Sequence, residues 1–376
     1  MKKLKIAILT EIIDYHSGSR APLQIAKYLA KLQKITVYAY DHQKDPKVIA
    51  DLKKNGVTTI LITTPKIPPV SRYLAAFNLT QKLRSHSPNV ILFAGTLTSF
   101  LAAKLTTIPI IRIYMGTQLD AYLEKVFPQK ITFLDKLLNF LANCYIFATN
   151  LITYRLSDKI VAISHYAASE GKKLYGRAVD KVIYLASDLA PTTGHKLPAT
   201  NYRQEIAILA VSRITPYKGF HLIIDALKKI GTTPKITLTI IGSQPRKNYL
   251  DYLQKEGQSL AKIIVNASDQ TLAQNYQSCD FYVTCDQNLY FGLPICEAAT
   301  FAKPTIALDY GAANELIIHG KTGYIAKNQR ALIYYLGKLT NNPQLVQKLG
   351  KEAKKYTFAK FNWQKIVKDY QEVIDK

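Results

Sequence analysis

The 376-residue sequence is short of acidic residues, sulfur and tryptophan. Only 26 aspartates and glutamates stand against 50 lysines and arginines, a formal net charge of +24. The imbalance is spread evenly, with 26 basic against 12 acidic residues in 1–190 and 24 against 14 in 191–376. No basic tail carries the excess, so a terminal arm for nucleic acid is disfavoured, and no nucleic-acid recognition module is evident. A folded basic face, an anionic membrane surface or an anionic substrate remains. The four cysteines, Cys144, Cys279, Cys285 and Cys296, show neither C-x-x-C spacing nor the density of a disulfide scaffold. They are expected to be reduced and buried, as in a cytoplasmic protein. Glycine (17) and proline (16) are sparse, and 48% of residues are hydrophobic against 20% charged, which excludes collagenous, low-complexity and disordered chains.

Long apolar runs are scarce too. The run Ile6-Ala7-Ile8-Leu9 is shorter than the ~7–15 residues of a signal-peptide core and reads instead as a first buried strand. The most apolar stretch, Leu137 to Tyr154, is interrupted by Asn139, Asn143, Thr149 and Asn150, whereas a spanning helix needs about 20 apolar residues. Lys130, Lys136, Arg155 and Lys159 flank it. It fits either a buried helix at a domain interface or an amphipathic helix lying on a membrane surface.

What the chain does have is alternation. Its length predicts two cores. Short β-branched runs at Ile6–Leu9, Ile35–Tyr40, Val57–Ile62, Val90–Phe93 and Pro109–Tyr114 are separated by helical patterns such as Pro22–Leu32 and Thr98–Leu105. Crossovers of that length indicate a parallel sheet covered on both faces. A second alternation starts near Glu205, with strands at Ile206–Val211, Ile236–Ile241, Ile263–Val265, Phe281–Thr284 and Thr305–Leu308. The expected organisation is therefore an α/β chain of two Rossmann-like domains, 1–188 and 205–356, joined by the Pro-, Gly- and Thr-rich linker 189–204.

Three segments carry candidate chemistry. In Val211-Ser212-Arg213-Ile214-Thr215-Pro216-Tyr217-Lys218-Gly219-Phe220, a strand gives way to a helix. Ligands of open α/β sheets bind at the carboxyl ends of strands, and helix N-termini present free N–H groups to anions. A guanidinium that grips two oxygens and a mobile ammonium suit a diphosphate, so Arg213 and Lys218 are its candidate holders and the candidate catalytic pair. In Tyr290-Phe291-Gly292-Leu293-Pro294-Ile295-Cys296-Glu297, Gly292 permits close backbone approach and Pro294 suits a first helical turn. Glu297, one turn inside, is placed to accept ribose hydroxyls. The third and weakest segment is Tyr15-His16-Ser17-Gly18-Ser19-Arg20, where Gly18 offers a phosphate or sugar contact and His16 a possible base, although an ordinary turn needs the same residues.

Taken in order, V-S-R-x-x-x-x-K-G-F, F-G-L-P-x-x-E-A-A, Lys303-Pro304-Thr305, Asn314-Glu315-Leu316-Ile317 and His319-Gly320-Lys321-Thr322-Gly323-Tyr324 resemble the retaining family 4 glycosyltransferases, the glycosyltransferases group 1. The resemblance implies the GT-B fold, two Rossmann-like domains facing across a cleft, with a last helix, here within 357–376, crossing back to the first domain. It implies a nucleotide-diphosphate sugar as donor substrate and a glycan or lipid-linked acceptor. It also implies transfer with retention of configuration, with no cofactor and no required metal. Arg213 and Lys218 would bind the diphosphate, Glu297 the ribose, the amides of Phe291, Gly292 and Leu293 the donor sugar and phosphate, and the segment Val265–Leu272 would flank the base. Two positions depart from the family pattern: Leu289 stands where a second glutamate is usual, and Met115 where a histidine precedes a glycine. These departures leave open a glycosyltransferase-like binding or scaffold subunit.

Overall fold

The computed structural model describes residues 3–15, 19–41, 44–64, 71–117, 119, 127, 132–191, 205–230, 235–243 and 245–375. It divides into two compact units, one formed by Met1–Leu119, Cys144–Tyr184 and Trp363–Lys376, the other by Asp120–Asn143 and Leu185–Asn362.

The first unit is built from β1 (Lys5–Thr10), α1 (Arg20–Leu29), β2 (Lys34–Tyr40), α2 (Pro46–Lys54), β3 (Thr58–Ile62), α3 (Ser71–His86), β4 (Val90–Ala94), α4 (Leu97–Lys104), β5 (Ile110–Tyr114), the second half of α5 (Phe133–Arg155), whose residues up to Asn143 fall in the second unit, β6 (Lys159–Ala162), α6 (His165–Tyr175) and β7 (Lys181–Val182). Its seven strands lie in the order β3-β2-β1-β4-β5-β6-β7, and every pairing is parallel. A parallel sheet is covered on both faces, so its strands are apolar runs without alternation. Ile6 to Leu9 are at most 1% exposed. Because the strand order runs one way from β1 to β3 and the other way from β4 to β7, right-handed crossovers put α1 and α2 on one face and α3 to α6 on the other.

The second unit continues with β8 (Glu205–Val211), α7 (Phe220–Lys228), β9 (Lys235–Gly242), α8 (Lys247–Gly257), β10 (Ala261–Val265), α9 (Asp269–Ser278), β11 (Phe281–Thr284), α10 (Leu293–Thr300), β12 (Thr305–Leu308), α11 (Ala313–Leu316), β13 (Gly323–Ala326), α12 (Gln329–Thr340) and α13 (Pro343–Lys360). Its six parallel strands are ordered β10-β9-β8-β11-β12-β13. Ile208, Leu238, Ile240, Phe281, Val283 and Ile306 of the sheet pack with Ile223, Ile224 and Leu336 of its helices in one core. Both units are Rossmann-like. The final helix, α14 (Trp363–Asp375), belongs to the first unit. Trp363 stacks on Tyr28 of α1 at 4.2 Å, Lys159 donates to the Val373 carbonyl at 2.8 Å, and Lys181 pairs with Asp369 and Glu372, each at 2.7 Å.

The cysteines depart from expectation at one place. Cys279, Cys285 and Cys296 are buried, but Cys144 on α5 is exposed. The apolar stretch Leu137 to Tyr154 is indeed helical, yet not a buried helix: Leu137, Phe140, Leu141 and Tyr145 are all exposed. Among the described residues, no helix is long and apolar enough to cross a membrane.

Candidate functional site

In the second sheet the strand order reverses between β8 and β11. At such a switch point, the loops leaving the two strands diverge to opposite faces and open a crevice at their carboxyl ends. Arg213 and Lys218 lie on the loop leaving β8, and Asp286 to Gly292 on the loop leaving β11. The sheet topology therefore brings the two strongest sequence motifs to one place.

The β8 loop turns through a 3-10 segment, Pro216–Lys218, and then through Gly219 at φ 69°, which caps the N-terminus of α7. A Cβ on Gly219 would lie 2.5 Å from the Cys285 carbonyl oxygen, so the absence of a side chain is what allows the two loops to touch. The Gln287 N–H donates to the Tyr217 carbonyl at 2.9 Å and fixes that contact. Lys218 reaches across to Asp286, with Nζ 2.5 Å from Oδ2 and only 12% and 8% of the two side chains exposed. The other oxygen of Asp286 accepts the Asn288 N–H at 2.9 Å. Arg213 donates to the Tyr217 hydroxyl, and both cations lie over the Tyr217 ring, Lys218 Nζ at 4.6 Å and the guanidinium at 5.7 Å from its centroid. Tyr217 thus contacts both cations, and Asp286 is the buried counter-charge of Lys218.

On the other loop, Gly292 takes φ 93° and caps α10, with Pro294 in the first turn. Among the described residues no side chain caps this helix. Its dipole favours an anion there. Phe291 is buried edge-on against Phe361, with ring centroids 5.7 Å apart. Glu297 is 3% exposed, and one carboxylate oxygen accepts the Tyr276 hydroxyl at 2.9 Å. Burial and the neighbouring carboxylate push the Tyr276 hydroxyl well above its ordinary pKa, so it stays a donor and fixes the orientation of Glu297. The segment 265–272 enters α9 through Ser268, whose hydroxyl accepts the Thr271 N–H at 3.1 Å.

The departures have structural counterparts. Leu289 is 5% exposed, its Cδ1 lies 2.9 Å from where a Gly292 Cβ would stand, and its carbonyl accepts the Ala312 N–H at 2.8 Å. The side chain is core, not a ligand group. In the first unit, Gly116 takes φ 97°, and the neighbouring Thr117 is fixed by Glu170, which accepts the Thr117 N–H at 3.0 Å and the Tyr114 hydroxyl at 2.6 Å. Gly18 and His16 lie outside the described residues. The first unit has a cavity of about 310 Å³ at its own switch point between β1 and β4, lined among others by Glu11, Tyr40, Arg72, Thr96 and Tyr145. Asp286, Tyr217 and Tyr276 were not singled out by the sequence. Asp286 alone had a usable signal, an acid immediately after a strand in a chain poor in acids.

Two Rossmann-like parallel-sheet units in one chain define the GT-B fold. Residues 198–356 match the model of the glycosyl transferases group 1 family, which the sequence resembles. The fold is similar to that of Anabaena HepE in complex with UDP and glucose, with a TM-score of 0.79 and 18% identity over 99% of both chains. It is also similar to the sucrose-phosphate synthase of Thermosynechococcus elongatus, with a TM-score of 0.75 and 16% identity over 99% of this chain and 98% of that one. In sequence the chain is 29% identical over 226 residues to an uncharacterised glycosyltransferase of Methanocaldococcus jannaschii, MJ1178, covering 58% of this chain and 61% of that protein. It is 22% identical over 237 residues to the N-acetyl-alpha-D-glucosaminyl L-malate synthase of Bacillus anthracis, covering 60% and 61%. The matches span roughly three fifths of these relatives' lengths.

Proposed function

We propose that this protein transfers a sugar from a nucleotide-diphosphate sugar to a glycan or lipid-linked acceptor, with retention of anomeric configuration. The observation that carries the reading is the pairing of Arg213 and Lys218 over Tyr217 at the switch point beside the uncapped N-terminus of α10. Breaking the donor's C–O bond leaves negative charge on the diphosphate. Two positioned cations and a helix N-terminus stabilise that charge most as it develops, which is where stabilisation accelerates reaction. In this reading Glu297 accepts the ribose hydroxyls, and the amides of Phe291, Gly292 and Leu293 contact the donor sugar and phosphate. A structural neighbour holding UDP and glucose makes UDP the first nucleotide to try. The cavity of the first unit, with Glu11 and Arg72 in its lining, suits a hydroxylated acceptor.

The test is a thermal-shift panel of nucleoside diphosphates, followed by donor turnover and assignment of the product anomer by NMR. UDP is expected to raise the melting temperature. Arg213→Ala and Lys218→Ala, each removing a charge-assisted contact, are expected to slow transfer about ten- to a hundredfold. Unchanged kinetics in both variants would remove the assignment, and an inverted product anomer would remove retention. A second reading, a glycosyltransferase-like scaffold, is favoured by the burial of Leu289 where the family has a carboxylate. Absence of both nucleotide binding and turnover would decide for it.

A further inference from the structure

The first unit contains a long stretch without acids. From Leu52 to Leu119, 68 residues hold eight lysines and arginines and no aspartate or glutamate. Strands β3, β4 and β5 and helices α3 and α4 all lie within it. The cavity of about 310 Å³ at the switch point of this unit draws most of its lining from the stretch, including Thr64, Ser71, Arg72, Thr96 and Thr98. The one acid among its described lining residues, Glu11, comes from the end of β1. Glu11 is anchored through one oxygen: Oε1 accepts the Thr96 N–H at 2.8 Å and the Ser99 hydroxyl at 3.4 Å, both at the start of α4. A Cβ on Gly95 would lie 2.6 Å from the Ser99 Oγ, so glycine leaves room for that contact. Among the described residues, Oε2 of Glu11 accepts no hydrogen bond and Arg72 makes no ion pair, although the two side chains line the same cavity.

Each part of this lining selects a property of the ligand. The volume is at the lower end of small-molecule sites, about 300–1,000 Å³, and suits one sugar ring rather than a chain. The hydroxyls of Thr64, Ser71, Thr96 and Thr98 match a ligand rich in hydroxyls. The second oxygen of Glu11 is an acceptor and takes a hydroxyl, whereas the guanidinium of Arg72 is a donor fork that fits a carboxylate or a phosphate. The first turns of α3 and α4 both border the cavity, neither contains an acid, and their dipoles favour negative charge. A neutral sugar would engage Glu11 and leave Arg72 unused, and a cation would meet Arg72 and both dipoles. We propose that the cavity takes an acidic sugar, a hydroxylated ring bearing a carboxylate or a phosphate, with the oxyanion at Arg72 and a ring hydroxyl at Glu11. The proposal rests on the sugar-transfer reading for the ligand's role as acceptor, but not for its binding.

The test is calorimetric titration of the full chain with glucuronate, glucose 6-phosphate, glucose and inorganic phosphate. Glucuronate, glucose 6-phosphate or both are expected to bind about tenfold more tightly than glucose and than phosphate alone, and the better of the two identifies the oxyanion. Salt at about 0.5 M should narrow the gap, because screening weakens the Arg72 contact. Arg72→Ala is expected to erase the preference for the acidic sugar, and Arg72→Lys to keep part of it, since lysine retains the charge without the fork. Glu11→Gln, which keeps an oxygen for the Thr96 N–H, should weaken acidic and neutral sugars alike by about tenfold. Equal affinity for glucose and both acidic sugars, an unchanged preference in Arg72→Ala, or inorganic phosphate binding as tightly as glucose 6-phosphate would overturn the proposal. The UDP-induced thermal shift, read on the same samples, tests the donor site separately. Its absence with acidic-sugar binding intact would remove the transfer reading and leave this site standing.

Discussion

Lys218 is shared between two negative partners in this reading: Asp286, which it touches in the structure, and the diphosphate it is proposed to hold. The ion pair is largely buried, and removing one partner of such a pair typically costs about 3–5 kcal/mol because the other charge is left uncompensated. Asp286→Asn is therefore expected to lower the melting temperature of the free protein. UDP supplies the missing negative charge, so the UDP-induced rise in melting temperature should be larger in the variant than in the parent. An equal rise would show that Lys218 does not meet phosphate. The sequence made Arg213, Lys218, Gly292 and Glu297 legible because each sits in a short backbone context that announces a strand end or a helix start. For Asp286 the sequence offered only an acid near a strand end, and its role lies in a partner 68 positions away. Glu297 shows the same limit: its place near a helix start could be read, but the Tyr276 hydroxyl that orients it comes from another helix.

At the scale of elements, the site depends on how closely two loops can approach. Gly219→Ala would place its Cβ against the Cys285 backbone and add left-handed backbone strain. Gly320 also has positive φ, at 74°, but open space around it. Gly320→Ala is expected to cost only the backbone term, about 1–2 kcal/mol. Gly219→Ala should cost more and should also abolish UDP binding, as measured by chemical denaturation and thermal shift. Strands and helices in both units were largely legible, because a buried parallel strand is an apolar run and the helices between them keep a 3.6-residue period. Helix α5 was legible as a helix but not in its orientation. Its stripe of Phe, Leu and Tyr reads as a core face, and only the burial of Asn139, Thr153 and Tyr154 shows that the polar side faces inward.

At the scale of the whole molecule, the four thiols divide into two chemical kinds. Burial raises the Cys279 thiol to about 12 and pushes Cys285 and Cys296 upward as well, so these three hold few thiolates and meet little solvent. Titration with a disulfide reagent should find one fast thiol, Cys144, in the native protein and four after denaturation. A second fast thiol would mean that the core around α10 opens readily. The two-unit organisation followed from alternation in the sequence and the return of α14 to the first unit from the family resemblance, but the contact that anchors it, Trp363 on Tyr28, joins positions far apart in the chain. Deleting residues 363–376 removes that stack and the Lys159 and Lys181 contacts together. The truncated chain is expected to lose stability in its first unit while the second keeps its nucleotide-induced thermal shift.

That return also sets an order of events during synthesis. The second unit is complete once Asn362 has emerged from the ribosome, but the first, although begun at the first strand, waits for the last helix. The earlier-made sheet has all its strands by Val182 but stands without α14 while the later one is translated, with Tyr28 lacking its Trp363 partner until the end. Maturation of this protein therefore closes where it started, on the first unit.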